Sequence, residues 1–344
     1  MVKRQGTLGQ SQSPCEVLEE VGDYGVAWPT PMAFPTADPL PSWREGSAKA
    51  ALLAFVKRVC AEGSPEWVPE AERIAVVDND GTLWPEQPVP FQAAFAFAEL
   101  QRLLESRPAL AEDPMVQAAL AGDLATLLAG EHFEGLLKIV ALTHAGMTVA
   151  EFQGAVEAWL ATALHPRFGR PYDALTYVPM QELLRHLRAN GFKTYIVSGG
   201  GADFMRVWVE RVYGLPPEQV IGSTARTTFA LGKGGPVLTK TLDYLFVNDH
   251  GGKPVGIHQF IGRRPLLCCG NSDGDLEMLQ YTTIQNPRPS FGLIVHHTDG
   301  EREYGYDAVS KSTGKLVKAL EQAPEQGWVV VDMRRDWREV FAAE

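Results

Sequence analysis

The sequence predicts an α/β fold, a doubly wound, mainly parallel sheet with an all-helical insertion after its first strand. Three observations predict it. Short, continuously apolar runs recur at 73–78 (RIAVVD), 192–198 (FKTYIVS), 265–270 (PLLCCG) and 292–297 (GLIVHH), the pattern of strands buried on both faces. Helical patterns separate the later runs, and such alternation specifies a doubly wound sheet. The stretch 91–172, between the first run and the second, carries almost no strand signal.

Taken in order, residues 1–44 are rich in Pro, Gly and Ser without sustained periodicity and read as an extended leader outside the fold. Over 47–60, Ala51, Leu52, Phe55, Val56 and Val59 recur at helical spacing, predicting an amphipathic helix beside the domain. The α/β core is expected over 45–90 and 173–344. Within the insertion, helical patterns occupy 91–105, 115–128, 134–145 and 148–164, the last opened by the capping box Thr148 and Glu151. Residues 91–172 are therefore expected to form a helical cap above the C-terminal edge of the sheet, where open α/β sheets bind ligands. A helix over 179–190 has Pro179 in its first turn and Gly191 as its stop. Gly-rich breaks between β-like runs over 227–249 predict a hairpin. A weaker fifth run, WVVVDM, lies at 328–333.

The chain has 344 residues, 31 Lys and Arg against 42 Asp and Glu, and a net charge of −11. That balance, with no long basic run, argues against nucleic acid as a partner. Cys15, Cys60, Cys268 and Cys269 show neither CxxC spacing nor a framework and read as free thiols. No stretch is long and apolar enough to span a membrane, and the N-terminus lacks the pattern of a signal peptide. The expected location is cytoplasmic, or periplasmic if an export signal is missing from the recorded start.

The chemistry concentrates in four segments. In VVDNDGTLW (76–84), two aspartates two residues apart at a strand end project to one side, and Gly81 lets backbone amides approach a ligand. Asp78 could attack phosphorus while Asp80 protonates the leaving oxygen and later deprotonates water. The plain alternative is a strand ending in an Asx turn. In IVSGGGADF (196–204), Ser198 and the amides of Gly199 and Gly200 describe an anion cradle, against the alternative of a simple Gly-rich turn. Lys253 opens a helical pattern before the run PLLCCG. The loop GNSDGD that follows offers oxygens from Asn271, Asp273 and Asp275, hard ligands suited to Mg²⁺. A lone lysine is ordinarily a solvated residue and an acidic loop ordinarily a turn, but all four pieces fall at C-terminal ends of predicted strands.

Together DNDGT, the Ser198 segment, Lys253 and GNSDGD resemble the four motifs of the haloacid dehalogenase superfamily, in its phosphatase branch with a helical cap between the first and second motifs. The resemblance spans about residues 72–299, and in detail it is similar to the phosphoserine-phosphatase-like hydrolases. It implies a Rossmann-like core, Asp78 as nucleophile and Mg²⁺ ligand, and Asp80 as general acid/base that also lends its carbonyl to the metal. Thr82 would order the loop. Ser198, with Gly199 and Gly200, would hold the phosphoryl group, and Lys253 would offset the charge shared by Asp78 and phosphate. The family's fourth motif usually opens Gly-Asp, whereas here Asn271 holds the second position. Metal ligation then falls to its amide oxygen and chiefly to Asp275, with Asp273 as the alternative. Phosphoserine-specific members carry a glutamate shortly after the first motif, and Glu86 lies one position early.

His296 and His297 end a strand near the site edge and read as structural rather than as ligands. Trp84 and Phe91 read as packing residues. The expected function is a Mg²⁺-dependent phosphatase acting on a small phosphorylated metabolite through an aspartyl phosphate. A phosphotransferase or mutase of the same superfamily, and a non-catalytic phosphate-binding scaffold with a degenerate metal site, are the alternatives.

Overall fold

Alternation of apolar side chains along the first run assigns them to two faces. In β1 (Ile74–Val77) all four residues are buried. Ala75 and Val77 join a large apolar cluster on one side of the sheet, while Ile74 and Val76 join a second cluster on the other, as the two-residue period of a strand requires. In the computed structural model, which describes residues 38–130, 133–310 and 312–343, β1 lies at the centre of a seven-stranded sheet.

The other strands are β2 (Lys193–Gly201), β3 (Val220–Gly232), β4 (Gly235–Phe246), β5 (Leu267–Gly270), β6 (Phe291–His296) and β7 (Val329–Asp332). Their order is β4-β3-β2-β1-β5-β6-β7, parallel throughout except for the β3–β4 hairpin. The chain builds outward from β1 through β2 and β3, then returns to the other side of β1 with β5. The reversal leaves a crevice at the C-terminal ends of β1, β2 and β5, the usual ligand position in such sheets.

Helix α1 (Ser47–Cys60) buries Leu52, Phe55, Val56 and Val59. Between β1 and β2 lie α2 (Phe91–Ser106), α3 (Pro114–Ala121), α4 (Leu124–Leu127), α5 (Glu134–His144) and α6 (Val149–Leu160). Ala96, Leu100, Val116, Leu127 and Ile139 form a small core among these helices. The expected capping box of α6 is present in both directions between Thr148 and Glu151. The remaining helices are α7 (Val178–Ala189), α8 (Ala202–Met205), α9 (Val209–Tyr213), α10 (Gly252–Phe260), α11 (Leu276–Thr283), α12 (Lys318–Gln326) and α13 (Met333–Asp336).

The structure differs from the sequence reading at three places. The single helix expected over 115–128 is broken in two. Gly122, at φ 68°, terminates α3, and the Asp123 carboxylate accepts from Thr126 N at 3.1 Å to start α4, a left-handed stop followed by an N-cap. The boundary of the expected leader moves earlier: residues 1–37 lie outside the described residues, but Leu40 and Trp43 are fully buried. Trp43 donates its indole N–H to Pro179 O at 2.9 Å and meets Trp337 edge-on at 6.1 Å between ring centroids. Two anchors in a Pro-rich segment are too few to produce a period. The hairpin expected over 227–249 is longer, because β3 starts at Val220 with four buried residues and only then runs out to solvent.

The hairpin is tied to the helical insertion by main-chain bonds. Gly146 N donates to Lys240 O, and Lys240 N donates to Met147 O, each at 2.9 Å. No helix among the described residues is long and apolar enough to cross a membrane. Cys60, Cys268 and Cys269 are free thiols, the last two buried, and Cys15 lies outside the described residues.

Candidate active site

The chain leaves β1 in a tight turn whose geometry follows from its residues. Gly81 adopts φ 79°, a left-handed conformation that glycine takes at least cost. A Cβ there would come within 2.2 Å of Asn271 Nδ2 and 2.4 Å of Glu86 Oε1. The turn is held from behind by His297, which lies 2.7 Å through Nε2 from Gly81 O and 3.0 Å through Nδ1 from Glu303 Oε2. His297 is therefore a structural residue of the first loop.

Asp78, Asp80, Thr82, Ser198, Lys253, Asn271 and Asp275 are brought together at the ends of β1, β2 and β5. Lys253, at the start of α10, donates to Asp78 Oδ1 at 2.6 Å and to Asp275 Oδ1 at 2.5 Å. Burial alone would depress its pKa, but Asp275, Asp78 and Asp249 outweigh burial and hold the ammonium above the ordinary lysine value. For Asp78, burial and then the charge of Asp275 push the carboxyl well above its usual range, with Lys253 opposing. One ammonium faces more negative charge than it can neutralise.

Thr82 Oγ1 lies 3.3 Å from Asp78 Oδ2 and 3.0 Å from Asn271 Oδ1. A hydroxyl has one proton, so only one of these two oxygens receives it. The other is a hard, unsatisfied oxygen beside a carboxylate. Asn271 is fixed in this orientation because its Nδ2 donates to Glu86 Oε1 at 2.6 Å. Glu86 also accepts from Tyr306 at 2.8 Å and from Thr313 at 2.6 Å, while burial raises its carboxyl to about 7. Among the described residues no group of three or more His, Cys, Asp or Glu is arranged to hold a metal. A pair of hard oxygens from one carboxylate and one amide nevertheless fits Mg²⁺, which keeps several waters and takes few protein ligands.

The two fourth-motif aspartates occupy positions other than those expected of metal ligands. Asp275 is 1 % exposed, and both its oxygens are engaged. Oδ1 binds Lys253, and Oδ2 accepts from the backbone N–H of Asn271 at 2.9 Å and of Ser272 at 3.1 Å. It anchors the loop and the lysine, and Asn271 Oδ1, not Asp275 as expected, is the fourth-motif oxygen that shares Thr82 Oγ1 with Asp78 Oδ2. Asp273 Oδ1 accepts from Val317 N and Ala319 N, each at 3.0 Å, and thereby caps the start of α12.

Ser198 is fully buried within β2, three residues before its end, and its Oγ accepts from Gly200 N at 3.0 Å. β2 continues through the three glycines, with a register shift against β3 after Val197, so the glycines lie in an irregular strand end rather than a free turn. A Cβ on Gly200 would lie 3.4 Å from Asp80 Oδ2, which places that carboxylate beside the segment. Gly199 adjoins Asp249, and its carbonyl accepts from Ser223 Oγ at 2.7 Å. Asp80 accepts from Trp84 Nε1 at 2.7 Å, and burial lifts its carboxyl to about 6, against the Trp84 bond and Lys253.

Sequence reasoning missed several of these partners. Trp84 packs as expected, with Phe91 at 4.4 Å and Trp208 at 4.1 Å, yet it also orients Asp80. Its spacing four residues after Asp80 in a Gly-containing turn was the available signal. Asn248, which donates to Ser198 O at 2.9 Å, and Gln92, which accepts from Gly201 N at 2.6 Å, carry no local pattern.

The site opens into a cavity of about 710 Å³, whose other walls come from α5, α6 and the β3–β4 hairpin. The architecture is similar to that of a conserved, functionally unknown protein from Anaerococcus prevotii DSM 20548, at 14% identity and TM-score 0.51 over 83% of this chain and 91% of that one. A protein of unknown function from Bordetella pertussis Tohama I is 16% identical at TM-score 0.45, covering 76% and 99%. A phosphoserine phosphohydrolase-like protein from Francisella tularensis subsp. tularensis SCHU S4 is 14% identical at TM-score 0.37, covering 73% and 98%. No curated protein matches the chain in sequence. The family model for haloacid dehalogenase-like hydrolases matches residues 75–280, from β1 through α11 and therefore across all four site segments, and the chain belongs to that family.

Proposed function

We propose that the protein is a Mg²⁺-dependent phosphatase that hydrolyses a small organic phosphate monoester through an aspartyl phosphate on Asp78. The observation that carries this reading is the Lys253 ammonium, 2.6 Å from Asp78 Oδ1, with Asp80 and Ser198 lining the same cavity. Asp78 Oδ attacks phosphorus, the bond from phosphorus to the alcohol oxygen breaks, and Asp80 gives its proton to that oxygen. Asp80, now a carboxylate, takes a proton from water. The water oxygen attacks phosphorus, the bond to Asp78 breaks, and inorganic phosphate leaves.

In this reading Ser198 and the amides beside it orient the phosphoryl group, and Lys253 offsets charge shared between Asp78 and the phosphoryl oxygens. Asp78, the carbonyl of Asp80 and Asn271 Oδ1 would hold Mg²⁺, which supplies further charge neutralisation on those oxygens when bound. The carboxyl of Asp80, raised by burial to about 6, suits a group that gives and takes a proton near neutral pH. Trp84 orients it. Residues 91–172 would act as a cap that closes over bound substrate and excludes water.

Phosphate release from a panel of monoesters, with and without Mg²⁺, tests the reading. Release that requires Mg²⁺ and vanishes in Asp78→Asn is expected. Equal release by wild type and Asp78→Asn, or none from any ester, overturns it.

A further inference from the structure

The cavity is larger than a phosphoryl group needs, and its far end has a chemistry of its own. His144, the last residue of α5, lines it and is 5 % exposed, yet neither ring nitrogen has a hydrogen-bond partner. Its ring meets Phe152 of α6 edge-on at 4.9 Å. Lys240 of β4 is equally buried, with its ammonium 4.8 Å from the Phe152 ring centroid and ion-paired to Asp203. Asp203 follows Ser198 on the same short segment, so this cluster adjoins the phosphate end through α8. Leu136 and Val140 supply an apolar wall.

We propose that this cluster is the recognition site for the alcohol half of the substrate, and that it takes an uncharged, ring-bearing alcohol with a hydrogen-bonding oxygen on its far side. The proposal rests on the phosphatase reading above. Burial and then Lys240 push the His144 pKa down to about 3, so the imidazole is neutral and offers one donor and one acceptor. Lys240 has spent one ammonium proton on Asp203 and retains others for a substrate oxygen. Lys240 and Asp203 neutralise one another, so neither a carboxylate nor an ammonium on the ligand finds an uncompensated counter-charge in this cluster. Either charge would also be desolvated against the apolar wall, at a cost that an uncharged oxygen escapes. A cavity of about 710 Å³ falls within the range that encloses ring-containing ligands. A buried imidazole with two unmet bonds costs free energy in the empty protein, and a ligand that meets them recovers it.

The test compares uridine 5′-monophosphate, whose alcohol is uncharged and bears carbonyl oxygens, with O-phosphoserine, whose alcohol is zwitterionic, and with acetyl phosphate as a minimal substrate. Wild type is expected to favour uridine 5′-monophosphate over phosphoserine at least ~10-fold in kcat/KM. His144→Phe should lower kcat/KM for uridine 5′-monophosphate about 10-fold, chiefly through KM, the loss of roughly one buried hydrogen bond. Acetyl phosphate hydrolysis should stay within about twofold of wild type. His144→Gln, which keeps a donor and an acceptor, should restore part of the loss. A preference for phosphoserine, or an equal loss on all three substrates in both variants, overturns the proposal. If no ester is hydrolysed, the phosphatase reading fails by itself, and calorimetry with uridine decides the subsite: binding weakened by His144→Phe supports it, and no binding by wild type overturns it.

Discussion

At the sheet end of the cavity each buried carboxylate meets a donor: Asp78 meets Lys253, Asp80 meets Trp84, Asp275 meets Lys253 and two backbone amides, and Glu86 meets Asn271, Tyr306 and Thr313. At the helical end His144 has two buried nitrogens and no partner. A network in which every buried carboxylate has a donor holds a fixed geometry before any ligand arrives, which phosphoryl transfer requires of its charged groups. An unpartnered group instead waits for a ligand and discriminates among ligands by whether they complete it. On the proposed reading, the same cavity separates the part that does chemistry from the part that chooses.

The largest effect should come from breaking the first end at its reacting atom. Asp78→Asn is expected to lower turnover about 10³-fold or more while the protein keeps its cooperative thermal transition. Burial already pushes the Asp78 carboxyl well above its ordinary pKa, so a neutral isostere suits the site. Phosphate release and a melting curve on one preparation check both halves. Residual multiple turnover, with deamidation excluded by mass spectrometry, would remove Asp78 as nucleophile.

Next in size is the Asn271–Glu86 contact. Asn271→Asp adds the carboxylate usual in the fourth motif but sets it against Glu86, 2.6 Å from the present amide nitrogen. Two carboxylates at that distance cannot both ionise, and the loss of a buried hydrogen bond costs about 1–3 kcal/mol. The single variant should melt earlier and need more Mg²⁺ for activity. Asn271→Asp combined with Glu86→Gln should recover the stability and need less Mg²⁺ than wild type. Magnesium titrations and melting curves of the four proteins check the pairing, and additive effects would break it.

The contrast also explains what could be read in advance. The strand runs, the capping box of α6 and the stop at Gly191 are local, so spacing along the chain revealed them. Three of the four site segments were legible because each lies at or just beyond the end of a buried parallel strand, and parallel topology carries strand ends to one edge, whereas Lys253 follows the exposed hairpin strand β4 and opens α10. The roles within GNSDGD were not legible. Whether Asp275 faces a metal or a lysine depends on Lys253, which arrives from α10. The helical end left no signature, since His144, Phe152 and Lys240 come from three elements joined by packing and by a few bonds such as the two backbone bonds of Lys240 to Gly146 and Met147. Burial of Trp43 was hidden for the same reason: its partners Pro179 and Trp337 are remote in sequence.

A third prediction concerns stability. The His144 pKa is depressed to about 3 in the folded protein from an unfolded value near 6.5. Its contribution to stability is complete above pH ~6.5 and is lost as pH falls toward the folded value, because only the unfolded chain takes up the proton in that window. Between pH 7 and 5 this amounts to about 2 kcal/mol. His144→Phe should flatten the decline by that amount and raise the stability of the ligand-free protein, since the unmet bonds disappear. Urea melts at the two pH values measure it. A variant that is less stable than wild type at pH 7, with an unchanged slope, would show that the imidazole has partners and that the two ends of the cavity do not differ as described.

The smallest effect tests the sheet end at its periphery. Asp273 lies in the same loop as Asn271 and lines the cavity, yet its Oδ1 is occupied by the amides of Val317 and Ala319. If capping α12 is its role, Asp273→Asn, which keeps an acceptor in place, should cost only a few tenths of a kcal/mol, and Asp273→Ala about 1 kcal/mol. Neither should change the Mg²⁺ requirement by more than about twofold. The two variants separate capping from ligation because the readouts move in opposite patterns. A capping residue loses melting temperature in the order Ala before Asn with activity intact, whereas a metal ligand loses Mg²⁺ affinity in both. A sharply raised Mg²⁺ requirement in Asp273→Asn, with an unchanged melting curve, would move the ion from Asn271 to Asp273 and reverse the assignment of the loop.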